Sequence, residues 1–242
     1  MTPITDPTEL GTILGVWAHP DDETYLAAGL MAAAVRNGQR VACVTATRGE
    51  EGSMDEEKWP PENMGEVREK ELMRSLEITG VSEHTWLDYR DGTLKEVDAA
   101  EATARVRTFI EQLEPDSVFS FGPEGMTGHE DHIATEQWTA AAFEEAAKPG
   151  ARLYWATATP EWAAEFASRL DQFNVFFNID GPPVTPLDEL AVYYELPPEV
   201  LALKMNAIEA HESQVEGMIA AFGRDFFSEG MKAESFRLGA KR

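Results

Sequence analysis

Three of the five histidines fall in two short acidic clusters. One is Ala18-His19-Pro20-Asp21-Asp22-Glu23, the other Gly128-His129-Glu130-Asp131-His132. His19 and Asp22 are three residues apart on a tight turn, so both can aim at one point. His129 and His132 have the same spacing, and on a helix they share a face. Two imidazole nitrogens and one carboxylate, with a fourth position open, make a catalytic metal arrangement. A carboxylate left off the metal can act as general base toward water. Another can fix the tautomer of a ligating histidine. Taken singly, an HxxD or HxxH spacing is a common accident, and an acidic pair such as Asp21-Asp22 is a usual helix cap. Their joint occurrence carries the metal reading, and spacing alone leaves open which of Asp21 and Asp22 is the ligand.

For the clusters to meet, the chain must bring them to one crevice. Residues 12–18, 40–47, 84–87, 116–121 and 152–158 read as short apolar strands. Helical patterns at 24–36, 65–79, 99–113 and 129–147 separate them, with Asn37-Gly38 and Gly80 as stops. The alternation predicts an α/β fold: a Rossmann-like, doubly wound, mostly parallel sheet with helices on both faces. With strand order 3-2-1-4-5, the first and fourth strands adjoin at the switch point, and both clusters lie at their carboxyl ends. Beyond residue 160 the pattern loosens. A helix is expected near 160–170, β-like segments near 173–180 and 190–196, and a helix near 198–211, with the tail after about 223 partly mobile. The polar stretch 48–66 reads as a binding loop or a solvated excursion, with Trp59 on the body or facing a ligand.

Composition narrows the function. Twenty Lys and Arg against 44 Asp and Glu give a formal net charge of −24. Such a surface repels nucleic-acid backbones and anionic membranes, so neither is expected as a partner. The lone Cys43, in an apolar run, excludes a disulfide framework and reads as a buried thiol. No segment reads as a secretory signal or a membrane span, so a cytoplasmic location is expected. The turn AHPDDE has no GxGxxG, and its carboxylates would repel a phosphate, which argues against a nucleotide-binding module.

AHPDDE after a first strand, with GHxDH after a later one, resembles the LmbE/PIG-L family of zinc-dependent N-acetylglucosaminyl deacetylases. Thr47-Arg48-Gly49-Glu50-Glu51-Gly52 resembles that family's TxGExG turn, and Arg68-Glu69-Lys70-Glu71-Leu72 its RxxEL helix start. Asp91-Gly92 resembles its DG loop, and residues 204–214 its KxxAxxxHxSQ helix. The resemblance implies one LmbE-like domain over 1–242, with a Rossmann-like core at 1–160 and an extension at 161–242. It implies that His19, Asp22 and His132 bind one zinc ion, although iron(II), cobalt or manganese suit the same donors. Asp21 would be the general base. His129 would steady the oxyanion or protonate the leaving amine, and Asp131 would support a histidine from behind. Arg68 and Asp91 would hold sugar hydroxyls or a pendant group of a small-molecule amino-sugar substrate. Some members carry a tyrosine where Thr127 stands here, so that phenol is absent. An amidase for a bulkier acyl group of a sugar-thiol conjugate is the alternative within this chemistry. A non-catalytic binding protein is the alternative outside it. His84 reads as structural, and His211 stands between a pocket wall and a core histidine. Oligomeric state is left open.

Overall fold

The computed structural model describes residues 2–242. Strands β1 (Ile13–Trp17) and β4 (Ser117–Ser120) are buried at every position, which is why they read as unbroken apolar runs. They flank the switch point of a seven-stranded sheet of order β3-β2-β1-β4-β5-β7-β6. Here β2 is Val41–Thr45, β3 is Glu83–Trp86, β5 is Arg152–Ala156, β6 is Val192–Glu195 and β7 is Ala233–Lys241. The first five strands are parallel, so the expected 3-2-1-4-5 order holds. Helices α1 (Asp22–Arg36), α2 (Met64–Thr79), α3 (Ala99–Leu113) and α4 (Glu130–Ala146) alternate with them. Gly80 at φ 81° closes α2, and the Asp98 carboxylate caps α3 by accepting the Ala100 and Glu101 N–H groups. Right-handed crossovers then place α1 and α2 on one face of the sheet and α3 and α4 on the other.

Two expectations for the C-terminal third need correcting. Residues 173–180 form no strand, because β7 and β6 already occupy the sheet edge beside β5. The Phe177 N–H instead donates to Thr127 O at 2.9 Å, and the Asn178 amide donates to Gly128 O at 2.9 Å. That segment therefore lies over the second histidine cluster. The tail after 223 is not loose: it forms α7 (Arg224–Gly230) and β7, which inserts antiparallel between β5 and β6. Phe236 is fully buried, its ring edge-on to Phe119 at 4.7 Å. The same apolar core takes in Trp17, Tyr154 and Val192.

Helices α5 (Pro198–Glu209) and α6 (Glu212–Phe222) lie between β6 and α7. From β7, Glu234 turns into the side of α1 and accepts the Gly29 and Leu30 N–H groups at 2.8 and 2.7 Å. Lys204 of α5 donates to Glu234 Oε1 at 2.6 Å and to Tyr25 O at 2.7 Å. Both charges are buried, so each depends on the other. Among the described residues, no helix is long and apolar enough to cross a membrane.

Phe236→Ala is expected to lower the unfolding free energy by about 3–5 kcal/mol, the usual cost of emptying an aromatic core site. Urea denaturation measures it; a loss below about 1 kcal/mol would mean that β7 is peripheral to the core.

Candidate metal centre

His19 follows β1 by two residues, and His129 and His132 stand at the start of α4, beyond β4. The adjacency of β1 and β4 brings them together. His19 Nδ1 lies 3.1 Å from His132 Nε2, and Asp22 Oδ1 lies 3.3 Å from the same His132 nitrogen. Asp22 Oδ2 is 3.8 Å from His19 Nδ1. A tetrahedral zinc with ligand bonds of about 2.0–2.1 Å has ligand–ligand edges of roughly 3.3 Å. Two of these spacings, 3.1 and 3.3 Å, match that edge, and the third, 3.8 Å from the other Asp22 oxygen, is longer.

Tautomers decide which nitrogens can offer electron pairs. His19 Nε2 faces Asp91 Oδ1 at 2.9 Å and Asp131 Oδ2 at 3.4 Å, so in the neutral ring, the form that can bind a metal, it carries the proton and leaves Nδ1 bare. His132 Nδ1 donates to Gly125 O at 2.8 Å, which leaves its Nε2 bare. His129 is set the other way. Its Nδ1 accepts the Asp131 N–H at 3.1 Å, so in the neutral ring Nε2 is a proton donor. The three histidines bring nitrogens within 4.8 Å of one another, yet only His19 and His132 present lone pairs. With Asp22 they can hold a divalent cation.

The supporting carboxylates are pinned in turn. Asp131 accepts the Gly92 and Leu94 N–H groups at 2.7 and 3.0 Å. Asp91 accepts the Glu51 N–H at 3.0 Å through its other oxygen. The structure thus places Asp91 behind His19, with both oxygens engaged, where the resemblance implies a substrate contact. Arg68 is likewise turned inward and only 5% exposed. Its guanidinium donates to Pro20 O at 2.7 Å, to Asp21 Oδ2 at 3.1 Å and to Gly49 O at 3.2 Å. A Cβ at Gly49 or Gly52 would come within 2.2–2.3 Å of Arg68 Nη1, so the glycines of the 48–52 turn make room for this side chain. Asp21 itself sits at φ 111°, a left-handed conformation that costs a non-glycine residue roughly 1–3 kcal/mol. Its carbonyl caps α1 by accepting the Thr24 and Tyr25 N–H groups.

Charge follows from this packing. Burial alone would depress the His19 ring, but Asp131, Asp91 and Asp22 outweigh it and hold its pKa at about 10. Burial lowers His132 well below its ordinary value, and the His19 charge adds to that. Burial also lowers His129. The Asp21 carboxyl is pushed up to about 7 by burial, against the pull of Arg68.

The other two histidines lie apart. His84 contacts Thr45 Oγ1 at 3.0 Å and Trp86, as a structural residue would. His211 is a core histidine, fully buried, with Nε2 3.1 Å from Thr24 Oγ1. Thr24 links it to Glu23 and Ser75 beneath α1, a polar network that no spacing in the sequence announces. The 48–66 loop is tied down, with Gln214 donating to Gly52 O and Lys58 bridging Glu212 and Glu216. Trp59 lies against the Lys58 ammonium.

Residues 14–143 match the PIG-L family, described as GlcNAc-PI de-N-acetylase. The chain is 32% identical to the 1D-myo-inositol 2-acetamido-2-deoxy-alpha-D-glucopyranoside deacetylase of Mycolicibacterium gilvum, over 90% of this chain and 85% of that protein. It is 30% identical to the enzyme of the same name from Salinispora arenicola, over 98% and 89%. Among solved structures, the N,N'-diacetylchitobiose deacetylase of Pyrococcus horikoshii aligns with a TM-score of 0.64 at 21% identity, over 97% of this chain and 85% of that one. The 4-carboxy-2-hydroxymuconate hydratase GalB of Pseudomonas putida aligns equally well, at 0.64 and 16%, over 96% and 98%. At these identities the structural likeness carries the fold alone.

Metal uptake must displace the proton that His19 holds in the free protein. Affinity for zinc should therefore weaken about tenfold for each pH unit lowered between pH 8 and 6. Calorimetry in buffers of different ionisation heat should show at least one proton released; a buffer-independent heat would contradict the charge assigned to His19.

Proposed function

The chain belongs to the PIG-L family, and from that premise we propose that it is a metal-dependent hydrolase removing the N-acetyl group from an N-acetylglucosamine-type sugar or its conjugate. The observation that carries this reading is the convergence of two bare imidazole nitrogens and one carboxylate on a single point, with a proton-donating histidine beside them. His19, Asp22 and His132 would hold the cation, and zinc suits two nitrogens and a carboxylate with one position open. When bound, the cation supplies a Lewis acid for the amide carbonyl and an acidified water.

The chain's own groups divide the remaining work. Asp21 receives the proton from the attacking water; its raised pKa brings it close to neutrality, where a general base works best. Arg68 fixes the direction of that carboxylate. The His129 Nε2–H donates to the oxygen on which negative charge develops or passes its proton to the departing amine. Asp91 and Asp131 hold the His19 ring with its lone pair forward. A cytoplasmic location accords with the single, buried, unpaired Cys43.

Acetate release from N-acetylglucosamine derivatives, with metal-loaded beside chelator-treated protein, tests the reaction. Release is expected only with metal. Asp21→Asn should keep its metal and lose about 10²–10⁴-fold in kcat, the usual worth of a general base. His132→Ala should lose the metal itself, read by elemental analysis. An Asp21→Asn protein turning over at the parent rate would remove the base from the mechanism.

A further inference from the structure

A cavity of about 200 Å³ opens beside Asp22 and His132. Leu26, Met126, Trp162, Phe176, Met218 and Phe227 are among its mostly apolar wall. Its polar residues are mostly turned to partners within the protein, and the one unpartnered group among them, the Tyr25 hydroxyl, is itself buried. Trp162 Nε1 donates to Gly230 O at 2.7 Å, and Ser235 Oγ donates to Thr157 O at 2.6 Å. Thr157 Oγ1 donates to Pro183 O at 2.9 Å, and Glu234 is engaged by Lys204 and the α1 amides. A sugar ring placed here would leave most of its hydroxyls without partners.

Resting on the amide-hydrolase reading, we propose that this cavity seats the acyl chain of the scissile amide, and that the preferred substrate is an amino sugar bearing an N-acyl group longer than acetyl. With His129 as the proton donor to the leaving nitrogen, that nitrogen lies on the His129 side, and His129 takes no part in the cavity wall. The two substituents of a trigonal carbonyl carbon point apart. With nitrogen on the His129 side, the acyl substituent points to the side formed by Asp22 and His132, where the cavity begins. Size agrees: a methyl group needs roughly the ~30 Å³ share of one water, so acetyl would leave most of the space unfilled. An apolar chain fills it without stranding a polar group. The reaction is otherwise unchanged. The carbonyl carbon gains the water oxygen, the C–N bond breaks, the acyl group departs as a carboxylate, and both water protons pass to the amine, which leaves as an ammonium.

The test is a series of N-acyl glucosamines from acetyl to decanoyl, assayed with metal-loaded protein. In parallel, the series is titrated into metal-free protein while tryptophan fluorescence is followed, Trp162 being in the wall. The value of kcat/KM should climb roughly fourfold per added methylene up to about hexanoyl, as burial of each CH₂ implies, then fall once the cavity is full. Affinity for the metal-free protein should climb in step. Val175→Trp, which adds bulk to the wall, should move the optimum to a shorter chain. Acetyl as the fastest substrate, with every longer chain slower, would overturn the proposal and leave the deacetylase reading standing. Hexanoyl binding metal-free protein no more tightly than acetyl would likewise overturn it. An absence of metal-dependent turnover at every chain length would overturn the hydrolase reading, and this proposal with it.

Discussion

Two imidazole lone pairs held 3.1 Å apart and aimed at each other repel unless a positive charge lies between them. Everything around the centre serves to impose that situation. Each outer ring nitrogen is committed, His132 to the Gly125 carbonyl and His19 to Asp91 and Asp131, so neither ring can turn its proton inward without losing a buried partner. The free protein answers with a proton on His19, which three carboxylates favour. A divalent cation answers the same demand with more charge and a better-defined geometry. The adjacency of β1 and β4 makes the opposition of the two rings unavoidable, since β1 delivers one ring and the chain beyond β4 the other.

The same economy explains the strained turn. Asp21 and Asp22 are neighbours with different tasks, and a left-handed residue between β1 and α1 lets their carboxylates diverge. Asp22 Oδ2 accepts the His19 and Ala18 N–H groups and stays with the donor cluster, while Asp21 swings to Arg68. Arg68 is buried, and the glycines of the 48–52 turn admit its head group. A turn that reads as a generic loop signal is thus a socket for the cation that orients the base.

Much of this was legible in the sequence because it is local. The clusters at 18–23 and 128–132 declare their chemistry by residue type and spacing, and the central strands declare themselves by unbroken apolar runs. Long-range placement was not legible. Nothing in Asp91-Gly92 says that the side chain will face His19 while the amides of Gly92 and Leu94 clamp Asp131. Nothing in the aromatic run at 173–180 says that the sheet edge is already taken, leaving those residues to lie over Thr127 and Gly128. The tail misled for the same reason. Its polar, glycine-containing composition resembles a fraying end, and only its neighbours β5 and β6 make it a strand.

The grip of Glu234 on α1 spans 205 residues of chain. Its consequence is felt while the protein is being made. A ribosome that has delivered residues through Phe222 has produced every donor of the metal centre, but not the strand that fixes the helix beginning at Asp22. At roughly 5–20 residues per second, β7 arrives a few seconds later. During that interval Lys204 awaits its counter-charge, and the Gly29 and Leu30 amides await the carboxylate that will receive them. Assembly of a rigid centre is thereby deferred until β7 has been made, and a message truncated before β7 yields the ligands without the frame that holds them.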